Sequence, residues 1–411
     1  MRIVDHGCIP RLPAKACDRE AEMKILYLLN AFSPGGAELG LLTLVNGGFF
    51  EGHDVTIVAL TRGEGMVGAR LIDQLGPERV FWLRDEEHLR DWRLPLLYPA
   101  VRVLFRRLQP DLAILSLPQS NFLGRLAARC APSAVIASFE HGQSYRRAAG
   151  VFLMRCTAPL VDRVLYDHPA TWRAMRSVYT HLAPDEALYV PLATLEPRPR
   201  SAQTWPLRRL LSIGRLAPQK NQAELIEALA LLRSRGHRLE LDLVGDGPDR
   251  SRLEQLTRRC GLQRQVRFHG FQENIRPHLE AADFYVQPSL WEGLCRTVLE
   301  AMAEGLLVVS TDVGGITDYG VDGENMIKAR SHDREGLAEA MERALQLPKR
   351  DIVEMGRRAA ATVAEQFSSP VVEAEWRRAL QAMSAEVAQR EIQAASKASL
   401  GLASPESAAG P

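Results

Sequence analysis

Two glutamates, Glu292 and Glu300, stand eight positions apart in the segment PSLWEGLCRTVLEAMAEG, and Gly293 follows the first of them directly. The apolar run DFYVQP, residues 283–288, predicts a strand before the motif, and the apolar spacing after it predicts a helix from about Leu294. At about 3.6 residues per turn, Glu300 would lie about two turns deeper than Glu292, so the two carboxylates are not expected to share a proton. Each could instead accept hydrogen bonds from vicinal hydroxyls on a different part of one ligand. The alternative is that Glu292 begins a helix and Glu300 is a buried structural partner.

A second motif, GRLAPQKNQAEL, follows the predicted strand 209–214 and carries two cations, Arg215 and Lys220, at the start of a predicted helix. An arginine fork and a lysine ammonium at a helix N-terminus, where backbone amides also point outward, suit a diphosphate. The motif is not a P-loop, because the pattern G-x-x-x-x-G-K-[ST] is absent from the sequence. The alternative is that both cations are solvated loop residues.

Both motifs belong to a repeating order of apolar strand, glycine-bearing turn, amphipathic helix and next strand. This alternation predicts an α/β protein with parallel sheets covered by helices on both faces, and ligands bind beyond the carboxyl ends of such strands. In the first half we predict strands at 24–29, 54–60, 79–83, 112–116, 134–139 and 163–167. In the second half we predict strands at 209–214, 239–245, 265–270, 283–288 and 306–311, and helices include 36–51 and 221–236.

The length of 411 residues exceeds what one hydrophobic core usually supports, so two domains are expected. A proline-rich stretch without helical or strand periodicity separates the two halves and is interpreted as a linker. The predicted boundaries are 1–22 for a disordered extension, 23–190 for the N-terminal domain, 191–206 for the linker, 207–365 for the C-terminal domain, 366–391 for a further helix and 392–411 for a disordered tail.

The composition excludes several classes of protein. Hydrophobic residues make up 46% and charged residues 25% of the chain, as in a soluble globular protein, and no run of about eighteen apolar residues could span a bilayer. The polar N-terminus lacks the apolar stretch of a signal peptide, so a cytoplasmic location is expected. The net charge of +1 gives no reason to expect nucleic acid. Six cysteines without a C-x-x-C pair argue against a zinc site or a disulfide framework.

A family resemblance rests on five segments: GRLAPQK, LVGDGPDR, VRFHGF, PSLWEGLCRTVLEAMAEGLLVVSTDVGG and DYGVDGEN. Their order and spacing resemble those of family 4 glycosyltransferases, which are retaining enzymes, closely over residues 209–330 and more faintly in the first half. The resemblance implies the GT-B fold, in which two Rossmann-like, doubly wound parallel-sheet domains face each other across a cleft. It also implies that the last helix, around Trp376, crosses back to the first domain and couples closure of the two.

The resemblance implies a role for each candidate residue. Glu300 would accept hydrogen bonds from the ribose hydroxyls of a nucleotide sugar, and Glu292 would contact the transferred sugar. Arg215 and Lys220 would neutralise the diphosphate as it leaves, because preorganised cations stabilise developing charge. No D-x-D triplet is present, so a catalytic metal is not required. No cofactor is expected, since the nucleotide sugar is a substrate. The remaining donor-binding candidates in this half are Gly214, Gly293, Leu294 and Cys295 near the phosphates, with Phe271 and Gln272 bordering the base.

Candidates from the first half are fewer. Gly35 and Gly36, in SPGGAE, lie between the first strand and a helix, where the lack of side chains lets backbone approach a donor phosphate or the acceptor. An ordinary tight turn is the alternative. His141 follows the strand 134–139, and the resemblance implies that it contacts the transferred sugar, for example through a 6-hydroxyl. A structural histidine is the alternative, and Glu140 competes for the role.

Two further features qualify this interpretation. The segment GEGMVG, residues 63–68, with Asp85 beyond it, has the pattern of a dinucleotide fingerprint, but it follows the second strand, and NAD binding is not expected. Cys295 and Arg296 stand where family members more often have small or apolar residues. Arg296 would therefore place an atypical cation near the donor sugar, which leaves the choice of donor open.

Two arginine-rich stretches bear on the acceptor. Residues 92–110 contain four arginines and no acid, and residues 141–161 contain three arginines and no acid. Interleaved basic and apolar residues suit reversible docking on anionic lipid, as related enzymes use to reach lipid-linked acceptors. The alternative is that these helices pack on the sheet with solvated arginines.

The resulting hypothesis is a retaining glycosyltransferase that moves a sugar from a UDP- or GDP-sugar to a hydroxyl of a glycan or lipid-linked acceptor. Its products would be bacterial surface glycans such as lipopolysaccharide or exopolysaccharide, made in the cytoplasm or at the inner face of the membrane. The alternatives are a nucleotide-sugar epimerase or phosphorylase of the same fold, and a non-catalytic binding subunit of a glycan-assembly complex.

Overall fold

The computed structural model describes residues 23–33, 35–87, 91–141, 148–200, 205–330 and 332–399. These residues form two compact units. The N-terminal unit comprises the described residues up to Asp167, Met175–Leu192 and those from Glu373, and the C-terminal unit comprises His168–Ala174 and Ala193–Val372. The expectation of disorder for residues 1–22 and 400–411 lies outside the described residues.

A parallel sheet of seven strands lies at the centre of the N-terminal unit, in the order β3-β2-β1-β4-β5-β6-β7. Ile25 of the first strand pairs with Val55 on one side and Leu112 on the other, so the order of strands reverses between the first and fourth strands. The strands are β1 (Lys24–Ala31), β2 (Asp54–Thr61), β3 (Val80–Arg84), β4 (Leu112–Ser116), β5 (Val135–Glu140), β6 (Arg163–Tyr166) and β7 (Ala187–Tyr189).

Helices connect these strands, as parallel pairing requires. The α-helices of this part of the chain are α1 (Gly36–Asn46), α2 (Met66–Leu75), α3 (Tyr98–Leu108), α4 (Pro118–Ala127), α5 (Ala148–Thr157) and α6 (Pro169–Met175). Val101 and Leu104 of α3 and Leu123 of α4 pack with Val58 and Leu115 of the strands in one buried cluster. Burial of this apolar face fixes which side of the sheet these helices cover.

The C-terminal unit contains a six-stranded parallel sheet in the order β10-β9-β8-β11-β12-β13. Its strands are β8 (Arg209–Ile213), β9 (Glu240–Val244), β10 (Val266–Gly270), β11 (Phe284–Gln287), β12 (Leu307–Thr311) and β13 (Ile327–Ala329). Its helices are α7 (Gln222–Ser234), α8 (Arg250–Arg259), α9 (Arg276–Ala281), α10 (Arg296–Ala303), α11 (Ile316–Tyr319), α12 (Arg334–Gln346) and α13 (Lys349–Phe367), and α14 (Ser369–Ser399) follows.

Successive residues of the central strands pack in two different hydrophobic clusters. Leu210 and Val309 belong to a buried cluster that includes residues of α7 and α12, whereas Leu211 and Val308 belong to a second cluster with residues of α10 and α13. Because neighbouring side chains of a strand point to opposite faces, helices cover both faces of this sheet. The predicted α/β class with two doubly wound parallel sheets is therefore confirmed.

Each predicted strand is present within one or two residues of its expected bounds. Two further strands, β7 and β13, were not predicted. Each is three residues long at one end of its sheet, and such a strand has too few residues for a visible apolar alternation. The helix expected over 36–51 ends earlier, at Asn46.

The segment expected as a linker, 191–206, is hydrogen-bonded to the C-terminal unit within its described residues 191–200. The amide of Leu195 donates to the carbonyl of Phe367 at 2.8 Å, and the amide of Arg198 donates to that of Ala303 at 2.7 Å. The backbone of this extended segment finds its hydrogen-bond partners on the C-terminal unit, to which residues from Ala193 belong.

The last helix, α14, is longer than expected. It runs to Ser399, so residues 392–399 are helical rather than disordered. Trp376 of this helix lies in the N-terminal unit, where its ring packs edge-on against Phe49 and its Nε1 donates to the carbonyl of Pro191 at 2.8 Å. Within the part of the chain that the structure describes, no helix has the length and apolar character needed to cross a membrane.

Candidate functional site

The two charged motifs of the C-terminal unit follow neighbouring strands. GRLAPQK continues from β8 and PSLWEG from β11, and these strands pair where the order of the sheet reverses. Backbone and side chain join the two loops: Leu290 donates its amide to the carbonyl of Gln219 at 2.9 Å, and Gln219 Nε2 donates to the carbonyl of Trp291 at 2.9 Å. The carboxyl end of such a switch point is where open α/β sheets bind ligands.

Lys220 and Glu292 form an ion pair between these loops. Lys220 Nζ lies 2.7 Å from Glu292 Oε1, and the same oxygen accepts a hydrogen bond from Ser289 Oγ at 2.5 Å. The Glu292 side chain is 5% exposed. Burial lowers the pKa of the Lys220 ammonium, but the charge and hydrogen bond of Glu292 together with the nearby Cys295 outweigh this, so the pKa lies above its ordinary value. Lys220 is therefore a cation at neutral pH.

A chain of buried side chains holds Glu292 in place. Tyr285 donates its hydroxyl to Gln287 Oε1 at 2.6 Å, Gln287 Nε2 donates to Ser289 Oγ at 2.7 Å, and Ser289 donates to Glu292. Lys220 and Ser289 both bind Oε1 of Glu292, and its Oε2 accepts no hydrogen bond from the described residues. This relay is not predicted from the sequence, where its one signal is the alternation of polar residues at the end of an otherwise apolar strand.

Arg215 and Gly214 lie at the end of β8. Arg215 is exposed, and its guanidinium has no ion-pair partner among the described residues. Gly214 has a φ of +155°, and a Cβ there would lie 3.2 Å from Lys220 Cε. A Cβ on Gly245 would lie 2.1 Å from the carbonyl oxygen of Gly214, so the loops after β8 and β9 approach each other through glycine. Arg215 thus supplies uncompensated positive charge beside Lys220.

The turn after Glu292 differs from the expected helix start. The helix α10 begins at Arg296 rather than near Leu294, because Cys295 takes a left-handed conformation with φ 59° and ψ 66°. Burial raises the pKa of the Cys295 thiol to about 12, so this side chain is neutral. The residues Gly293, Leu294 and Cys295 therefore form an irregular turn in front of the helix, where their backbone can meet a ligand.

A glycine pair after β12 closes over this turn. The amide of Gly315 donates to the carbonyl of Gly293 at 2.7 Å, and Tyr319 donates its hydroxyl to the carbonyl of Leu294 at 2.9 Å. Gly314 has a φ of +58°, and a Cβ there would lie 2.1 Å from the carbonyl oxygen of Glu292. Only glycine fits this contact, which explains the GG pair of the sequence.

Glu300 has a cation of its own. Arg296 Nε lies 3.0 Å from Glu300 Oε1, one helical turn away on α10. Burial raises the pKa of Glu300, and Arg296 opposes the rise. Each of the two carboxylates of the opening motif is thus paired with a different cation, and Oε2 of Glu300 also accepts no hydrogen bond from the described residues.

Phe271 and Gln272 follow β10, at the same edge of the sheet but two strands from β8. The Phe271 ring is 53% exposed, and Gln272 Nε2 donates to the carbonyl of His269 at 3.0 Å. The structure therefore brings Arg215, Lys220 and Glu292 together directly and places this pair farther along the edge, with an apolar ring open to solvent.

The N-terminal candidates belong to the other unit. Gly35 precedes α1 in extended conformation and Gly36 is its first residue; a Cβ on Gly36 would meet no atom within 4 Å. Neither glycine has a positive φ, so their backbone conformation does not require glycine. The open space beside Gly36 is the feature that would let a ligand approach the backbone. His141 lies just beyond β5, with Nε2 2.8 Å from Ser116 Oγ and Nδ1 3.7 Å from Asp167 Oδ2.

Glu140, the competitor of His141, is committed to the core. Its Oε1 lies 3.4 Å from Arg125 Nη2 and accepts hydrogen bonds from Ser138 at 2.9 Å and from Tyr179. The side chains of Arg125 and Glu140 are 0% and 2% exposed. Glu140 therefore neutralises a buried arginine, and His141 is the residue of the two that reaches the sheet edge.

Two further points concern the dinucleotide-like pattern of residues 63–68 and the binding of a metal ion. Asp85, the acid of the dinucleotide-like pattern, lies 2.7 Å from Arg62 in an ion pair. Among the described residues, no three His, Cys, Asp or Glu side chains are grouped in a way that could hold a metal ion.

The comparisons with known proteins agree with this architecture. A family model described as glycosyl transferases group 1 matches residues 203–361. The lipopolysaccharide core biosynthesis glycosyltransferase LpsE of Rhizobium meliloti is 29% identical over 319 residues, which are 75% of this chain and 85% of that protein. HepE of Anabaena, solved in complex with UDP-glucose, is similar with a TM-score of 0.70 and 20% identity over 88% of this chain and 100% of its own. Sucrose-phosphate synthase from Thermosynechococcus elongatus gives a TM-score of 0.72 and 18% identity over 90% of this chain and 100% of its own.

The matched family segment contains all the charged side chains of the switch point in the C-terminal unit, and the solved structures share the two-sheet fold. The chain has the GT-B fold, and its residues 203–361 form a domain of the glycosyl transferases group 1 family.

Proposed function

We propose that this glycosyltransferase transfers a sugar, with retention of anomeric configuration, from a UDP- or GDP-sugar to a hydroxyl of a glycan or lipid-linked acceptor. The observation that carries the proposal is the group of Arg215, Lys220 and Glu292 at the ends of β8 and β11. It combines an uncompensated guanidinium, a partly buried ammonium and a buried carboxylate with one open oxygen. A nucleoside diphosphate sugar offers the matching groups: two phosphates and a ring of hydroxyls.

The cations act on the leaving group in this proposal. The bond between the anomeric carbon and the phosphate oxygen breaks, and negative charge grows on the nucleoside diphosphate. Arg215 and Lys220 stabilise that charge because they are already in place, helped by the backbone of the turn at Gly293. The acceptor hydroxyl attacks from the same face, forms the new glycosidic bond and gives its proton to the departing phosphate oxygen. No metal or cofactor is required by this scheme.

The carboxylates hold the two ends of the donor. Glu292 accepts hydrogen bonds from the transferred sugar through Oε2, while the relay from Tyr285 fixes its position. Glu300 accepts the ribose hydroxyls, and Phe271 with Gln272 borders the base. From the N-terminal unit, His141 contacts the sugar, and the backbone at Gly35 and Gly36 contacts donor phosphate or acceptor.

The proposal that the donor is a nucleotide sugar draws on two similar proteins. HepE was solved with UDP-glucose, and LpsE is named for lipopolysaccharide core biosynthesis. A thermal-shift screen with UDP, GDP, ADP and their sugars tests the proposal, since a ligand that binds the folded state raises the unfolding midpoint, and at equal concentration a tighter ligand raises it more. Stabilisation by one nucleotide family is the expected result. No stabilisation by any of them at millimolar concentration would contradict a donor site.

The acceptor side is proposed from the surface of the N-terminal unit. The helix α5 exposes Phe152 and Leu153 beside Arg155, and Arg106 and Arg107 of α3 are exposed. Such surfaces bind anionic lipid through apolar insertion and charge together, which would bring a cytoplasmic enzyme to the inner face of the membrane.

Flotation with phosphatidylglycerol vesicles at low salt tests the membrane proposal, because attraction to lipid is least screened there. The double variant Phe152→Ser/Leu153→Ser should lose most of the vesicle-bound fraction. The matched control Val321→Ser/Val353→Ser replaces two exposed apolar residues of the C-terminal unit and should bind as the wild type does. Equal flotation of both variants would place the lipid contact elsewhere.

A further inference from the structure

Arg296 is the first residue of α10, where a cation is out of place. The amides of a helix N-terminus carry partial positive charge, so a cation there is disfavoured and an anion favoured. Lys220 and Arg215 already concentrate positive charge at the neighbouring loop. A third cation in this region therefore needs a nearby negative charge that compensates it.

The compensation is Glu300. Arg296 extends along the helix, and its Nε lies 3.0 Å from Glu300 Oε1. The sequence placed this atypical cation near the donor sugar, whereas the structure directs it to the carboxylate that the proposed function assigns to the ribose. The guanidinium uses Oε1, and Oε2 accepts no hydrogen bond from the described residues.

We propose that Arg296 is a positioning residue for ribose recognition: it fixes the Glu300 carboxylate in one orientation, with Oε2 presented to the vicinal hydroxyls of the nucleotide. This inference rests on the proposed role of Glu300. It goes beyond that role, because it assigns to Arg296 the discrimination between a ribonucleotide and its deoxy analogue.

Arg296 can affect ribose binding because the two ribose hydroxyls donate hydrogen bonds and need acceptor atoms on the protein. A carboxylate accepts hydrogen bonds on both oxygens, whereas a protonated carboxyl has turned one of them into a donor. Glu300 is largely buried, and burial disfavours its charged form. The neighbouring guanidinium opposes this effect and also limits rotation of the carboxylate, so both the charge and the direction of Oε2 depend on Arg296.

An ordinary helical ion pair is the competing explanation. The same spacing and a similar contact occur on α9, where Arg276 Nε lies 2.8 Å from Glu280 Oε1. Pairs of this kind stabilise a helix slightly and do nothing else. Arg276 is therefore the matched control for Arg296.

The test measures dissociation constants of UDP and 2′-deoxy-UDP by calorimetry for the full chain, with GDP and 2′-deoxy-GDP in their place if the screen selects guanine. The wild type should prefer the ribonucleotide by about 10- to 100-fold, the range for a hydrogen bond to a charged acceptor. In Arg296→Gln the preference should fall to about threefold or less, while affinity for the deoxy compound changes little. Arg296→Lys should recover part of the preference, and Arg276→Gln should keep all of it.

Several outcomes would overturn the inference. If Arg296→Gln weakens both nucleotides by the same factor, Arg296 acts on the fold and not on the diol. If it keeps the full preference, Glu300 needs no positioning by Arg296. A wild type that binds neither UDP nor GDP would instead contradict the proposed function. Melting temperatures within about 2 °C of the wild type would show that the variants are folded, since loss of a partly exposed pair costs little stability.

Discussion

The two units contain the same topological switch point with different chemistry. In the C-terminal unit, the loops after β8 and β11 present Arg215, Lys220 and Glu292. In the N-terminal unit, the ends of β1 and β4 carry the neutral residues Asn30 and Ser116. Asn30 Oδ1 accepts a hydrogen bond from the Ser120 amide at 2.9 Å, so a side chain of β1 caps the helix that follows β4.

The N-terminal unit has a buried ion pair near its switch point instead. Arg125 and Glu140 are buried together beneath the edge of the sheet, where each compensates the other. The charges of the C-terminal unit lie at the mouth of the sheet and are compensated in part, since Arg215 has no ion-pair partner among the described residues. The same strand order therefore supports a structural ion pair in one unit and a candidate anion site in the other, and the loops decide which.

The largest expected effect tests whether the open charges act on the reaction. In the double variant Arg215→Ala/Lys220→Ala, turnover should fall by about 10³-fold or more, because both cations proposed to stabilise the leaving diphosphate are lost. The double variant Lys349→Ala/Arg350→Ala removes one lysine and one arginine from the exposed start of α13 and should keep full activity. Steady-state kinetics measure both. Turnover within threefold of the wild type in the first variant would remove the leaving-group role.

The opposite behaviour is expected of the buried pair. Arg125→Met leaves Glu140 without its guanidinium in the core, which should lower the free energy of unfolding by about 3–5 kcal/mol. The double variant Arg125→Met/Glu140→Gln should recover a large part of the loss, because no charge is left unpaired. Urea unfolding measures both, and the affinity for nucleotide, held by the C-terminal unit, should stay within threefold. A single variant as stable as the wild type would mean that the pair contributes no compensation.

Sequence reasoning predicted the longer strands correctly, and it placed the charged motifs of the C-terminal unit at strand ends, where the structure has them. Apolar runs reveal buried parallel strands, and residues that follow such strands meet at one edge of the sheet. It did not predict side-chain contacts between residues that are far apart in the sequence and belong to no recognisable motif. The relay from Tyr285 to Glu292 and the buried cluster of Arg125 depend on side-chain directions in the folded chain, and no local pattern encodes these.

The start of α10 illustrates a second limit. Helical periodicity in LCRTVLEAM predicted a helix from about Leu294, yet Cys295 is left-handed and the helix begins two residues later, at Arg296. A left-handed cysteine is unusual, since a side chain disfavours that conformation. The turn is imposed by the glycine pair at Gly314 and Gly315, which closes over it from the end of another strand.

The two carboxylates of the opening motif should separate in their effects. Glu292→Gln should lower kcat by about 100-fold while the dissociation constant of the nucleotide stays within threefold, because the proposed role of Glu292 is to contact the sugar being transferred. Glu300→Gln should raise the dissociation constant of UDP or GDP by about tenfold and affect kcat less. Calorimetry and initial rates with the same preparations measure the pair. Equal effects of both variants on both constants would contradict the division of roles between the two carboxylates.

The smallest expected effect concerns the N-terminal switch point itself. His141 is held between Ser116 and Asp167, and we expect it to donate or accept one neutral hydrogen bond with the 6-hydroxyl of the sugar. Such a bond contributes about 0.5–1.5 kcal/mol, so His141→Ala should lower kcat/KM for the donor by up to about tenfold. The 6-deoxy form of the same donor lacks the hydroxyl, and the wild type and variant should use it equally well. A loss of the same size with the 6-deoxy donor would mean that His141 supports the sheet edge rather than the sugar, and the N-terminal switch point would then be structural throughout.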